Sequence, residues 1–222
     1  MKHKKYIVLL VVILSLLLAT TAFAGTAYNA SFTTSVTYQN VGSGTATIVF
    51  NFYPENNGTS IPISRDLPEG AGSSLFAGSL DEIDDGFKGS VVMSSNEPVV
   101  ATMVQISADT AVKNRPLSNG FAEGAPEVLL ATVLKNQFNT TSRFSVQNAS
   151  AGAVDLTVKL YNAANPTAAP IEVTHTNLPV GAAKYFDMGT LSQVTASSFN
   201  GSATISAVAS GTSTPANIVA SV

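Results

Sequence analysis

The sequence has no cysteine, no tryptophan and only two histidines, and charged side chains make up just 11% of it. Each shortage closes a route to function. Without cysteine there is no disulfide, no thiol nucleophile, no thiolate metal site and no lipid-bearing N-terminal cysteine. Stability therefore has to come from apolar cores or from assembly. Without tryptophan the favoured platform for stacking on sugar rings is missing, although Tyr28, Tyr38, Tyr53, Tyr161 and Tyr185 remain. His3 sits in the opening cationic stretch. His175 stands alone in the alternating segment 171–176, where an outward strand residue is the plain reading. A catalytic relay needs serine, histidine and an acid together, and no serine lies in a G-x-S-x-G turn. Basic residues are also scarce. Residues 25–222 hold eight basic and fourteen acidic side chains, a net charge of −6. That balance argues against nucleic acid as a partner, which needs a basic face, and against docking on anionic lipid.

What is present begins with Met1-Lys2-His3-Lys4-Lys5, an apolar run from Tyr6 to Ala19 broken only by Ser15, and then Ala22-Phe23-Ala24. A cationic start, a short apolar run and small residues at the cutting positions are the layout of a secretory signal peptide. The 14-residue run falls short of the roughly 20 that span a bilayer. The expected product is a secreted or cell-surface chain that starts at Gly25, with no membrane span in its mature form.

The rest of the chain is a duplication. Residues 35–53 (SVTYQNVGSGTATIVFNFY) align without a gap on 143–161 (RFSVQNASAGAVDLTVKLY), at an offset of 108. Ala46, Ile48, Phe50 and Phe52 meet Val154, Leu156, Val158 and Leu160, with polar residues between them. Strict period-two alternation marks a half-buried strand. Further on, Leu67-Pro68-x-Gly70 answers Leu178-Pro179-x-Gly181, and Gly86-Phe87-x-Gly89-Ser90 answers Ser198-Phe199-x-Gly201-Ser202. The first copy predicts strands near 32–39, 45–53, 59–65, 73–77, 88–95 and 98–107. Gly, Asn and Pro clusters punctuate them. Segment 79–85 allows one helical turn at most. The predicted organisation is a signal peptide at 1–24, a β-sandwich module at 25–110, a linker at 111–126 and a second module at 127–222. Many short strands in such a span suggest an all-β protein of two tandem antiparallel immunoglobulin-like sandwiches.

A strand ending in Gln-Asn, a glycine turn, an aliphatic strand ending in tyrosine, L-P-x-G, then G-F-x-G-S together form a signature. It resembles exported bacterial proteins, notably of filamentous Chloroflexota type, that carry tandem β-sandwich repeats. The resemblance covers nearly all of 26–222 and implies a surface or matrix structural protein. Its motifs are turn and core residues, and it transfers no catalytic ones. One departure stands out. The second copy has a full lead segment, Val128–Asn136, whereas the first has only the short polar Gly25–Ser31. Either Thr26–Ser31 supplies a short edge strand, or a sheet edge is left open to another subunit.

The only charge cluster is Asp81-Glu82-Ile83-Asp84-Asp85, followed by Gly86. Asp81, Glu82, Asp84 and Asp85 are candidate Ca²⁺ ligands, since Ca²⁺ takes six to eight hard oxygens. Their spacing is not that of an EF-hand, and the second copy lacks the cluster, so a solvated acidic loop is the competing reading. No other cofactor is indicated. A pair of glycosidase carboxylates facing one cleft is not suggested by acids that sit mostly in turns. Asn-x-Ser/Thr sequons occur at Asn29, Asn57, Asn139, Asn148 and Asn200, as expected of this composition. The expected function is therefore non-enzymatic. The first reading is a structural or interaction protein of the cell surface, sheath or matrix, partnered by copies of itself through open sheet edges. The alternative is an adhesive module that binds a glycan or another surface protein.

Overall fold

The computed structural model describes Tyr28 and residues 30–222. The expected signal peptide lies outside the described residues, as do Gly25–Ala27 and the Asn29 sequon. The described chain is all-β. The alternating segments do what period-two patterning dictates, sending one set of side chains inward. Strand β2 (Ala46–Pro54) buries Ala46, Ile48, Phe50 and Phe52, and β10 (Val154–Asn162) buries Val154, Leu156, Val158 and Leu160.

The first half also contains β1 (Phe32–Asn40), β3 (Ile61–Leu67), β4 (Gly72–Phe76), β5 (Gly89–Ser95), β6 (Val99–Ser107) and β7 (Leu117–Asn119). They form two antiparallel sheets, ordered β4-β1-β6-β7 and β3-β2-β5. The second half adds β8 (Glu127–Lys135), β9 (Arg143–Asn148), β11 (Ile171–Leu178), β12 (Ala183–Asp187), β13 (Phe199–Ala209) and β14 (Ile218–Ser221). Its sheets run β11-β10-β13-β8 and β12-β9-β14. Each half has its own apolar cluster, fed by both of its sheets. The duplication read from the sequence is thus a duplication of pairing. The pairs β1–β4, β2–β3 and β2–β5 reappear as β9–β12, β10–β11 and β10–β13.

The Gln-Asn motif owes its place to its second residue. Asn40 and Asn148 are buried polar side chains and make the same three bonds. Asn148 Nδ2 donates to the Gly152 carbonyl at 2.8 Å and the Leu178 carbonyl at 3.0 Å, while its Oδ1 accepts from the Ser150 N–H at 2.8 Å. Asn40 does likewise with Gly44, Leu67 and Gly42. One amide therefore clamps the glycine turn to the L-P-x-G turn. Burial also removes Asn148 as a glycosylation acceptor, whatever its sequon. The G-F-x-G-S motif is explained by close approach. A Cβ at Gly201 would run into the Tyr161 carbonyl oxygen, and the Phe199 ring already lies across the vacant position at 2.8–2.9 Å.

Segment 111–126, expected as a linker, is not a free tether. It contributes β7, which pairs with β6 through Thr102–Asn119, Met103–Ser118 and Val104–Leu117. Val112 within it is buried. A three-residue strand among Asn, Gly and Pro shows no alternation to read. The expected edge strand over Thr26–Ser31 is not seen in its described part, since Ala30 and Ser31 carry no strand.

Candidate interaction site

The expected Ca²⁺ ligands sit on a loop after a single 3-10 turn, Ala77–Ser79. Ile83 is buried and pins the loop, while Asp81, Glu82, Asp84 and Asp85 all face solvent around it. No group of three or more metal-ligating side chains converges among the described residues. Four separated, hydrated carboxylates would have to be gathered before an ion could bind. Millimolar Ca²⁺ is therefore expected to leave the melting temperature unchanged in differential scanning fluorimetry; a rise of several degrees would show that the loop closes on the ion.

Two surfaces are better defined, and each is visible because one half covers what the other leaves bare. The first is the outer edge of β5. In the second half, β8 pairs along β13, and Ala203, Ile205 and Ala207 are 2%, 0% and 3% exposed. The first half has no strand in the place of β8 among the described residues. The positions equivalent to Ala203 and Ile205, Val91 and Met93, point toward Phe52 and Phe50 yet are only half-buried. The facing row on β6, Val99, Ala101 and Met103, is half-buried too, whereas its counterparts Ile218 and Ala220 are buried. The first sandwich is open along one side, with an apolar row lining the gap and a strand edge beside it.

The second surface is the junction between the halves, where the first half closes the outer edge of β12. The Asn56 N–H donates to the Ala183 carbonyl at 3.1 Å, and the Tyr185 N–H donates to Glu55 Oε1 at 3.2 Å. Lys184 and Lys88 lie 3.3 and 3.7 Å from the same carboxylate. The Tyr185 hydroxyl donates to the Gly89 carbonyl at 2.6 Å, and the Ser90 hydroxyl to the Gly181 carbonyl at 2.7 Å. The Tyr53 ring lies flush on Gly181, where a Cβ would stand 2.5–2.7 Å from the ring carbons. Nearby, Tyr28 donates to Asp187 at 2.9 Å and lies under the Arg143 guanidinium, tying the N-terminal segment to the second half.

His175 lines a cleft of about 440 Å³ at this junction with Glu55, Lys184, Tyr185 and Ser192. The group does not form a relay. The Ser192 hydroxyl donates to Gln193, and Glu55 is committed to Tyr185 and Lys184. Burial lowers the His175 pKa, as does the Lys184 ammonium, against the opposing pull of Glu55 and Asp155. Burial pushes the Glu55 carboxyl up, but the Tyr185 N–H and the two ammonium groups outweigh it and hold it below its usual 4.5. A depressed carboxyl pKa contributes stability above the unfolded value and loses it as pH falls through the folded one. The junction should therefore loosen below about pH 4.5, and Glu55→Gln should remove that dependence. Amide exchange at Ala183–Tyr185 against pH measures it.

Tyr53 and Tyr161 end equivalent strands of the repeat, and the structure puts Tyr53 on the neighbouring half, against Gly181. Glu55, Ser90 and Tyr185 carried no sequence signal beyond the recurrence of Gly-Ser. No family model matches the chain, and no curated protein and no solved structure matches it.

Proposed function

We propose that this chain is an extracellular structural protein that assembles with copies of itself through sheet edges its own fold leaves open, and that it performs no catalysis. The observation that carries this reading is the β5 edge. An apolar row that is sealed by β8 in one half is only partly buried in the other. An unpaired edge beside uncovered apolar side chains invites a further strand, because both the backbone groups and the apolar surface gain a partner. The signal-peptide layout and the hydroxyl-rich, weakly charged faces support an exported setting, at a cell surface, sheath or matrix. The resemblance to exported tandem-repeat proteins of Chloroflexota type supports the same setting.

On this reading the halves are tandem immunoglobulin-like domains. The central pairs support it, since second with fifth and third with sixth strands pair in that plan too. The outer strands are exchanged. The first strand, β8, joins the β10–β13 sheet and the last, β14, joins β9. That exchange is why a missing first strand uncovers β5.

A second reading, a glycan- or protein-binding module, is favoured by a shallow groove of about 550 Å³ on the outer face of β4, β1 and β6, lined by Thr37, Gln39, Ser74 and Thr102. Its one aromatic, Tyr38, is buried at 4% exposure and offers no stacking face.

Light scattering behind size-exclusion chromatography tests the first reading. The wild type should elute as concentration-dependent species above monomer mass. Met93→Lys should reduce that mass, because an inward charge at an edge is a known bar to strand addition, and the lysine can reach water through the open side. An unchanged profile would contradict it, as would a wild type that stays monomeric.

A further inference from the structure

The contact between the halves is built from motifs that occur twice, so each half carries both sides of it. Tyr53 and Ser90 supply one side and the Gly181 turn supplies the other. The repeat places Tyr161 and Ser202 where Tyr53 and Ser90 stand, and Gly70 where Gly181 stands. Among the described residues of one chain only one combination is used. The other two sides are left over, one on each half.

Their exposure shows it. Gly181 and Ala183 are buried, with the Tyr53 ring on the one and the Asn56 N–H on the carbonyl of the other, while Gly70 and Gly72 are exposed. No described residue lies within 4 Å of a Cβ built at Gly70. The two turns have the same shape, with φ of 70° at Gly70 and 74° at Gly181. Each also receives the repeated glutamine on the glycine carbonyl, from Gln39 at 3.2 Å and Gln147 at 3.0 Å. Tyr53 is half-buried against its glycine, and Tyr161 is 38% exposed. The outer edge of β4, the counterpart of the covered β12 edge, has no partner among the described residues.

We propose that a second copy of this chain makes the unused combination. Tyr161 of one copy lies over Gly70 of the next, the Ser202 hydroxyl donates to the Gly70 carbonyl, and the second half of one copy closes the β4 edge of its neighbour. The proposal rests on the self-association reading above but uses a different surface from the β5 edge. Unlike surfaces meet, so the contact is heterologous and extends head to tail unless the rotation closes a ring. It differs from its internal template in two ways. Glu55, Lys184 and Tyr185 become Ala163, Ser73 and Ser74, so the ion pair and the tyrosine bond are lost. The turn at 163–170 is also longer than that at 55–60. The contact between copies is weaker than the one within a chain, and insensitive to salt.

Sedimentation velocity of purified protein carrying Met93→Lys, which removes the β5 edge from play, tests it. That protein should still form a concentration-dependent series. Adding Tyr161→Ala, or adding Gly70→Asn, should reduce it to monomers. Asparagine accepts the left-handed backbone and meets no described neighbour, so an unchanged melting temperature should accompany Gly70→Asn. The decisive sample is an equimolar mixture of the two. Each variant keeps the side the other lacks, so the mixture should form dimers and nothing larger. The contact is overturned if the series survives Tyr161→Ala or Gly70→Asn, or if the mixture stays monomeric. It is also overturned if Met93→Lys alone abolishes association, a result that leaves the β5 edge standing as the sole contact. A wild type that never associates overturns both.

Discussion

Replacing Asn148 with alanine should cost about 3 kcal/mol of stability, one of the largest effects available to a single substitution in this chain. The amide is 1% exposed and makes three hydrogen bonds to backbone groups of two turns. Alanine removes all three. The Leu178 carbonyl then lies buried without that partner, and an unsatisfied buried group costs roughly 1–3 kcal/mol. Asn148→Asp should be worse at neutral pH. It keeps an acceptor for the Ser150 N–H but turns an oxygen toward the Gly152 and Leu178 carbonyls. Burial and that repulsion raise the pKa of the new carboxyl in the folded state. The penalty therefore grows as pH rises through the unfolded carboxyl range and shrinks on acidification. Urea unfolding of both variants at pH 7 and pH 4 measures it. Asn148→Asp more stable than Asn148→Ala at pH 7 would contradict the assignment.

The second large effect is a contrast between equivalent positions. Ile205→Ala should destabilise by about 2–5 kcal/mol, because the side chain is fully buried under β8 and its loss leaves a cavity. Met93→Ala, at the same place in the first half, should cost less, roughly 1–2 kcal/mol in dilute solution, since the side chain packs against its core but is only partly buried. Under conditions where copies associate, the difference should narrow. Calorimetry at two protein concentrations resolves the point. Equal costs for the two substitutions in dilute solution would show that the β5 side is sealed after all.

Strand positions were legible because one face of each sheet is buried and alternation follows. The segment expected at 45–53 is observed at Ala46–Pro54, and that expected at 98–107 at Val99–Ser107. The repeat carried more than spacing, since Asn40 and Asn148 prove to be the same clamp. Three things were not legible, each for a physical reason. Strand β7 is too short and too polar to alternate. The closing of β12 by Glu55 and Asn56 depends on how the halves meet, which no pattern within a half encodes. The sequence left the acidic run at 81–85 open between an ion cage and a solvated loop, a choice that depends on the burial of Ile83, around which the four carboxylates face solvent. The shorter lead segment of the first copy was visible as a length difference, and among the described residues no strand stands in the place of β8. What this uncovers, the row from Val91 to Met103, required the exchanged pairing of β8 with β13.

In the proposed assembly, copies close surfaces that the described residues of one chain leave open. Amide hydrogen exchange followed as a function of protein concentration addresses them directly. Exchange along β5 and across residues 68–74 should slow as concentration rises, while β13 and residues 179–185, already covered within the chain, should not change. Exchange at β5 and at 68–74 that is the same from dilute to concentrated protein would contradict the account.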